Sequence, residues 1–179
     1  MGRDKAFLPS GSGPLVKQIA DDVAAAAGSV ALIGRPDEFR GLFDYDCLPD
    51  LQPSFGPLSG IHSALKSHRG DYNLMLACDM PETDREFLVS LLRCAVASGR
   101  RCVAAVDATG QWHPLCAVYR RSALDAVERA MQSSHPCLMD LLHELDALPF
   151  ECPSTILNCN TPADWAAFQA GRAAALSRN

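Results

Sequence analysis

From Pro14 onward the chain alternates apolar positions at helical spacing with short, continuous apolar runs. After Pro14, read as an N1 proline, Leu15, Val16, Ile19 and Val23 lead into an alanine run that stops at Gly28, which predicts a helix closed by a glycine. Val30 to Ile33 follows as a short buried strand. A second helix is predicted from about Leu58 through Ile61, Ala64 and Leu65 to Gly70, and Tyr72 to Cys78 then reads as a buried parallel strand ending in Asp79. Asp84 or Thr83 can cap the next helix, where Phe87, Leu88, Leu91, Leu92 and Val96 recur on one face. Cys102 to Val106 and Trp112 to Tyr119 read as strands joined by the Asp107-Ala108-Thr109-Gly110 turn, and helices follow at Ser122 to Met131 and Cys137 to Leu145. A last strand near Ser154 to Leu157 leads through Asn158-Cys159-Asn160 to Thr161, a cap, and Pro162, the N1 residue of a C-terminal helix. This alternation predicts a three-layer α/β fold in one domain over residues 1–179. In open α/β sheets ligands bind outside the carboxyl ends of the strands, a rule that selects the loops Leu48 to Gly60, Cys78 to Pro81 and Asn158 to Pro162.

Composition narrows the partners. The formal net charge of -5 argues against a nucleic-acid surface, which needs clustered Lys and Arg. No apolar run has membrane-spanning length, and Met1-Gly2-Arg3-Asp4-Lys5 has no apolar signal core, so a cytoplasmic address without membrane attachment is expected. None of the eight cysteines forms a C-x-x-C pair and most sit in apolar stretches, as reduced core residues do.

Candidate chemistry gathers in the three loops. Asp79 emerges from a buried strand in Ala77-Cys78-Asp79-Met80-Pro81, where a carboxylate suits Mg²⁺ held jointly with substrate phosphates; a loop or helix-capping aspartate is the alternative reading. Gly56-Pro57-Leu58-Ser59-Gly60 joins two glycines to a helix start, so a base or ribose could lie against bare backbone near amide donors, or the segment could be a plain turn. Asp50 could accept hydrogen bonds from a nucleotide's polar edge, or be a solvated loop residue. Lys5, with Arg3 nearby, could place positive charge on phosphates, although a lysine near a terminus is usually solvated. Asn158 and Asn160 could bind a polar ligand or cap their loop. His113 in its strand reads as a packed or capping histidine, and no G-x-S-x-G, H-E-x-x-H or P-loop pattern occurs. These residues by themselves point to a Mg²⁺-nucleotide enzyme.

In order along the chain, Met1-Gly2-Arg3-Asp4-Lys5-Ala6-Phe7-Leu8, Gly56-Pro57-Leu58-Ser59-Gly60-Ile61, Ala77-Cys78-Asp79-Met80-Pro81, His113-Pro114-Leu115 and Asn158-Cys159-Asn160-Thr161-Pro162 resemble the molybdenum cofactor guanylyltransferase family. The resemblance implies a Rossmann-like nucleotidyltransferase fold with a mostly parallel sheet, transferring GMP from GTP to the terminal phosphate of molybdopterin. It also implies that Lys5 contacts the GTP phosphates, Asp50 the guanosine, Asp79 the Mg²⁺ together with GTP, and the Asn158 to Thr161 loop the pterin-side substrate; molybdoenzymes or their chaperones are further implied partners. Two departures stand out. The family pattern opens with a strand and an L-A-G-G-x-S-x-R loop before the M-G-x-D-K segment, whereas Met1 is first here, so weak GTP binding is expected of the chain; and Arg35 stands where the family often has Asn. A cytidylyl- or sugar-nucleotide transferase of the same fold, and an inactive nucleotide-binding or chaperone relative, are the competing expectations.

Overall fold

The computed structural model describes residues 7–10, 13–34, 44–80, 83–152, 156, 164–166 and 170. A two-residue antiparallel pair, β1 (Pro9–Ser10) and β2 (Gly13–Pro14), leads into helix α1 (Leu15–Ala27). Pro14 stands one position earlier than expected, at the N-cap, with extended backbone; Gly28 closes the helix in the left-handed region at φ 80°. Strands β3 (Ala31–Gly34) and β4 (Asp46–Pro49) pair in parallel. A 3-10 turn (Pro53–Phe55) then enters α2 (Pro57–Lys66), which packs on β3, β4, β5 and β7 and so bridges the two larger sheets.

The second of those sheets has the order β5 (Tyr72–Leu76), β7 (Trp112–Arg120), β6 (Cys102–Val106), β8 (Leu148–Glu151). β7 is antiparallel to β5 and β6, while β8 is parallel to β6, so three of its four strands run one way. α3 (Arg85–Ser98) starts as the sequence suggests, with Asp84 Oδ1 accepting from the Phe87 N–H at 2.8 Å. A 3-10 turn (Arg121–Ala123), α4 (Leu124–Gln132) and α5 (Leu138–Glu144) complete the described elements.

Side-chain alternation along β6 and β7 makes the three layers. Cys102, Ala104, Ala117 and Tyr119 face α2, α4 and α5, whereas Val103, Ala105, Cys116 and Val118 face α3. α1 packs beside α3, over a smaller cluster of Leu15, Ile19 and Trp165 that takes in Leu76 and Cys78. Cys47, Cys94, Cys102, Cys116 and Cys137 are free thiols, and burial pushes Cys102 and Cys116 up to about 12. No described helix is long and apolar enough to cross a membrane. The expected strand at Ser154 to Leu157, the cap Thr161 and the N1 residue Pro162 lie outside the described residues, except for Ile156, which is buried against the α3 face.

Candidate functional site

Asp50 directly follows β4, and the chain from there to α2 is held by two serines of that helix. The Ser59 hydroxyl donates to Asp50 Oδ1 and accepts from the Gln52 N–H at 3.0 Å, while Gln52 N–H also reaches Asp50 Oδ1 at 3.2 Å. One turn on, Ser63 Oγ accepts from the Leu51 N–H at 3.0 Å. The loop is thereby folded onto the start of α2. Gly56, between the 3-10 turn and the helix, has φ 55° and ψ -134°, a region in which an L side chain is strained. Gly60 lies in the first turns of α2 with helical backbone, and a Cβ built on it meets no atom within 4 Å. Asp50, Gly56 and Gly60 are thus brought together at the amino end of one helix, where free N–H groups and the helix dipole favour anions.

Asp79 is placed by a different device. β5 ends at Leu76, but its pairing is carried on by the Ala77 N–H, which donates to the Leu115 carbonyl at 2.9 Å. That carbonyl lies where β7 bulges: Ala104 of β6 faces Ala117, and its neighbour Ala105 faces His113, so Pro114 to Cys116 leave β6, with Cys116 paired to Leu76 of β5. The buried Tyr119 hydroxyl donates to the Pro114 carbonyl at 3.0 Å, and burial raises this phenol well above its ordinary pKa, keeping it a donor. On the other side of the bulge His113, 2% exposed, sits with Nε2 3.1 Å from Asp107 Oδ2, which makes it the packed histidine expected. Cys78 is drawn into the α1 cluster, and its neighbour Asp79 is half-buried without a hydrogen bond or ion pair among the described residues. Replacing Tyr119 by Phe should keep the core volume but leave the Pro114 carbonyl without its donor, costing about 1–2 kcal/mol in urea unfolding. A variant as stable as the parent would show that the bulge needs no such tie.

Among the described residues no group of three or more His, Cys, Asp or Glu side chains could hold a metal ion. Asp79, a carboxylate with no protein partner among the described residues, nonetheless fits a cation that takes one carboxylate and completes its shell with phosphates and water. Lys5, Asn158 and Asn160, with Arg3 and Arg35, lie outside the described residues.

Residues 1–148 match the MobA-like NTP transferase domain. The chain belongs to the MobA-like NTP transferase family. It is 29% identical over 175 residues to a Nostoc protein named probable molybdenum cofactor guanylyltransferase, covering 94% of this chain and 84% of that one. In three dimensions it resembles molybdopterin-guanine dinucleotide biosynthesis protein A from Archaeoglobus fulgidus, at TM-score 0.75 and 21% identity, covering 93% of this chain and 89% of the other. A Mycobacterium tuberculosis protein of the same fold, crystallised in complex with manganese, aligns at TM-score 0.64 and 16% identity, over 93% of this chain and 91% of that one. As a member of the MobA-like NTP transferase family the chain is a nucleotidyltransferase with the Rossmann-like fold of that group.

Asp50, Gly56, Gly60 and Asp79 all lie inside the MobA-like match, and Asn158 and Asn160 lie beyond it. Three supporting residues escaped the sequence reading. Ser59 and Ser63 look like ordinary helix serines until the loop folds back onto them, and Tyr119 looks like core. Asp107 did leave a signal, since Asp-x-Thr-Gly between two strands is turn chemistry in which the aspartate caps the backbone two residues on. Its Oδ1 accepts from the Thr109 N–H at 2.9 Å, the Thr109 hydroxyl at 2.6 Å and the Gln111 N–H at 3.1 Å.

Proposed function

We propose that this nucleotidyltransferase transfers GMP from GTP to molybdopterin, in the cytoplasm, with Mg²⁺. In that reaction a terminal phosphate oxygen of molybdopterin attacks the α-phosphorus of GTP, the bond from the α-phosphorus to the bridging oxygen breaks, and pyrophosphate leaves with the electron pair. The observation that carries the reading is Asp79, a half-buried carboxylate without a protein partner among the described residues, at the carboxyl end of a strand. When bound, the metal neutralises charge on the triphosphate and eases departure of pyrophosphate. Asp79 would hold it, Asp50 would accept from the guanosine, and Gly56 and Gly60 would let the nucleoside lie close to the α2 backbone. Lys5 would meet the phosphates, and Asn158 and Asn160 the pterin-side substrate. The product would pass to molybdoenzymes or their chaperones. The relatives named molybdenum cofactor guanylyltransferase support the choice of GTP and molybdopterin. The test supplies GTP, or CTP, with molybdopterin and Mg²⁺ and measures pyrophosphate and dinucleotide product; dinucleotide from CTP in preference to GTP overturns the guanylyl assignment.

Gly60 gives this reading a test in which stability and binding move in opposite directions. Because a Cβ at Gly60 meets nothing and the backbone is helical, Gly60→Ala should stabilise α2 by up to about 1 kcal/mol. If the nucleoside lies there, the same methyl group should weaken nucleotide affinity. A variant with higher Tm and undiminished GTP affinity would remove Gly60 from the site.

A further inference from the structure

We infer that Ser59 is a positioning residue for nucleotide selection, because with the Gln52 N–H it holds Oδ1 of Asp50 and leaves Oδ2, to which no described residue donates, to read a nucleoside. The inference rests on the reading of Asp50 as the side chain that meets the nucleoside.

The geometry is one-sided. Oδ1 receives two donors, the Ser59 hydroxyl and the Gln52 N–H, and no described residue donates to Oδ2. Oδ1 therefore carries the protein's described contacts to this carboxylate, and Oδ2 is the oxygen more open to a ligand. Ser59 is fully buried and donates its hydroxyl proton to Asp50 Oδ1, while the single Gln52 N–H is shared between Ser59 Oγ at 3.0 Å and Asp50 Oδ1 at 3.2 Å. A hydrogen bond to an ionised group is stronger than a neutral one, so this contact fixes the plane of the carboxylate instead of leaving it to rotate. An acceptor held in one direction discriminates between bases that offer N–H donors there and bases that do not, since a wrong base leaves a desolvated acceptor unpaired. A freely rotating carboxylate would adapt to several bases or to water. Ser59 therefore acts through Asp50, without itself touching the nucleotide.

Ser63 supplies the control. It stands one turn further along α2 and makes the same kind of hydrogen bond to the same loop, from the Leu51 N–H, but does not touch Asp50. If Ser59 only fastens the loop, the two serines are equivalent.

The experiment measures dissociation constants of GTP, CTP, ATP and UTP with Mg²⁺ by calorimetry, together with Tm, for the parent chain and for Ser59→Ala, Ser63→Ala and Asp50→Ala. In Ser59→Ala the preference for the best nucleotide over the next should fall by about tenfold, the loss of one directed hydrogen bond to a charged group. Ser63→Ala should lose similar Tm and keep its preference to within about twofold. Equal preferences in the two serine variants overturn the inference while leaving Asp50 in the site. An unselective parent chain, or an Asp50→Ala variant as selective as the parent, overturns both the Asp50 reading and the role of Ser59. A parent chain that prefers a nucleotide other than GTP overturns the guanylyl assignment alone, and the Ser59 comparison is then read on the preferred nucleotide.

Discussion

Asp79→Ala is expected to lower nucleotidyl transfer by about two to three orders of magnitude, equivalent to about 3–4 kcal/mol of transition-state stabilisation, while leaving the Tm close to that of the parent chain. The two halves of this expectation have different origins. The small effect on stability follows because Asp79 makes no hydrogen bond or ion pair among the described residues, so its removal strips no buried donor and breaks no network. The large effect on rate follows from the chemistry of phosphoryl groups, where catalysis is positioning and charge neutralisation with no protein nucleophile required. Asp79→Asn preserves the shape and removes the charge, so it should be impaired to a similar degree. Titrating Mg²⁺ in both variants separates metal binding from simple crowding of the site. Turnover near that of the parent in either variant would falsify the assignment of Asp79.

The elements that bear Asp79 were legible because each carries a strong local signal. Tyr72 to Leu76 is apolar but for Asn73 and forms the expected strand, although it is half-buried at the sheet edge and pairs antiparallel with β7 where a buried parallel strand is expected. The β6–β7 hairpin is announced by Asp107 to Gly110 between two largely apolar runs. β4 was not, because Asp-Cys-Leu-Pro is four residues with one large apolar side chain, and its strand character comes from pairing with β3. β8 left a trace that was passed over: Leu148 and Phe150 turn inward while Pro149 and Glu151 are exposed, a period of two in a strand whose proline is tolerated at the sheet edge. The candidate site divides in the same manner. Asp50 and the Gly56 to Gly60 segment were visible as residue types on a loop, but the Ser59–Asp50 contact joins residues nine apart and depends on the loop reversing its path. The β7 bulge did leave a sign in Pro114, since a proline inside a sheet is confined to edges and bulges, but no local pattern says that the strand will leave β6 there and stay with β5.

Loss of the Asp107 carboxylate should destabilise the β6–β7 hairpin, and it should reach the site. Asp107 is 5% exposed and receives Thr109, Gln111 and His113 donors, so Asp107→Ala leaves the buried His113 ring without its partner and opens the turn, whose exposed Thr109 and Gln111 donors pass to water. A fall in Tm of roughly 5–10 °C is expected for a chain of this size. The Thr109 hydroxyl above all, with His113 and the backbone N–H groups of Thr109 and Gln111, holds the folded carboxyl well below its ordinary value of 3.8, against the opposing effect of burial. A depressed folded pKa means that this stabilisation is complete above 3.8 and is lost as the pH falls from there towards the lower folded value. Acid unfolding of the parent chain should therefore steepen below that point, and Asp107→Asn should be less stable at neutral pH but lose less on acidification. His113 also opens the bulge whose Leu115 carbonyl ties down Ala77, two residues before Asp79. Loosening Asp107 should consequently lower transfer at saturating nucleotide at a temperature where the variant is still folded. A variant with reduced Tm but full turnover there would show that the hairpin supports the fold without positioning Asp79.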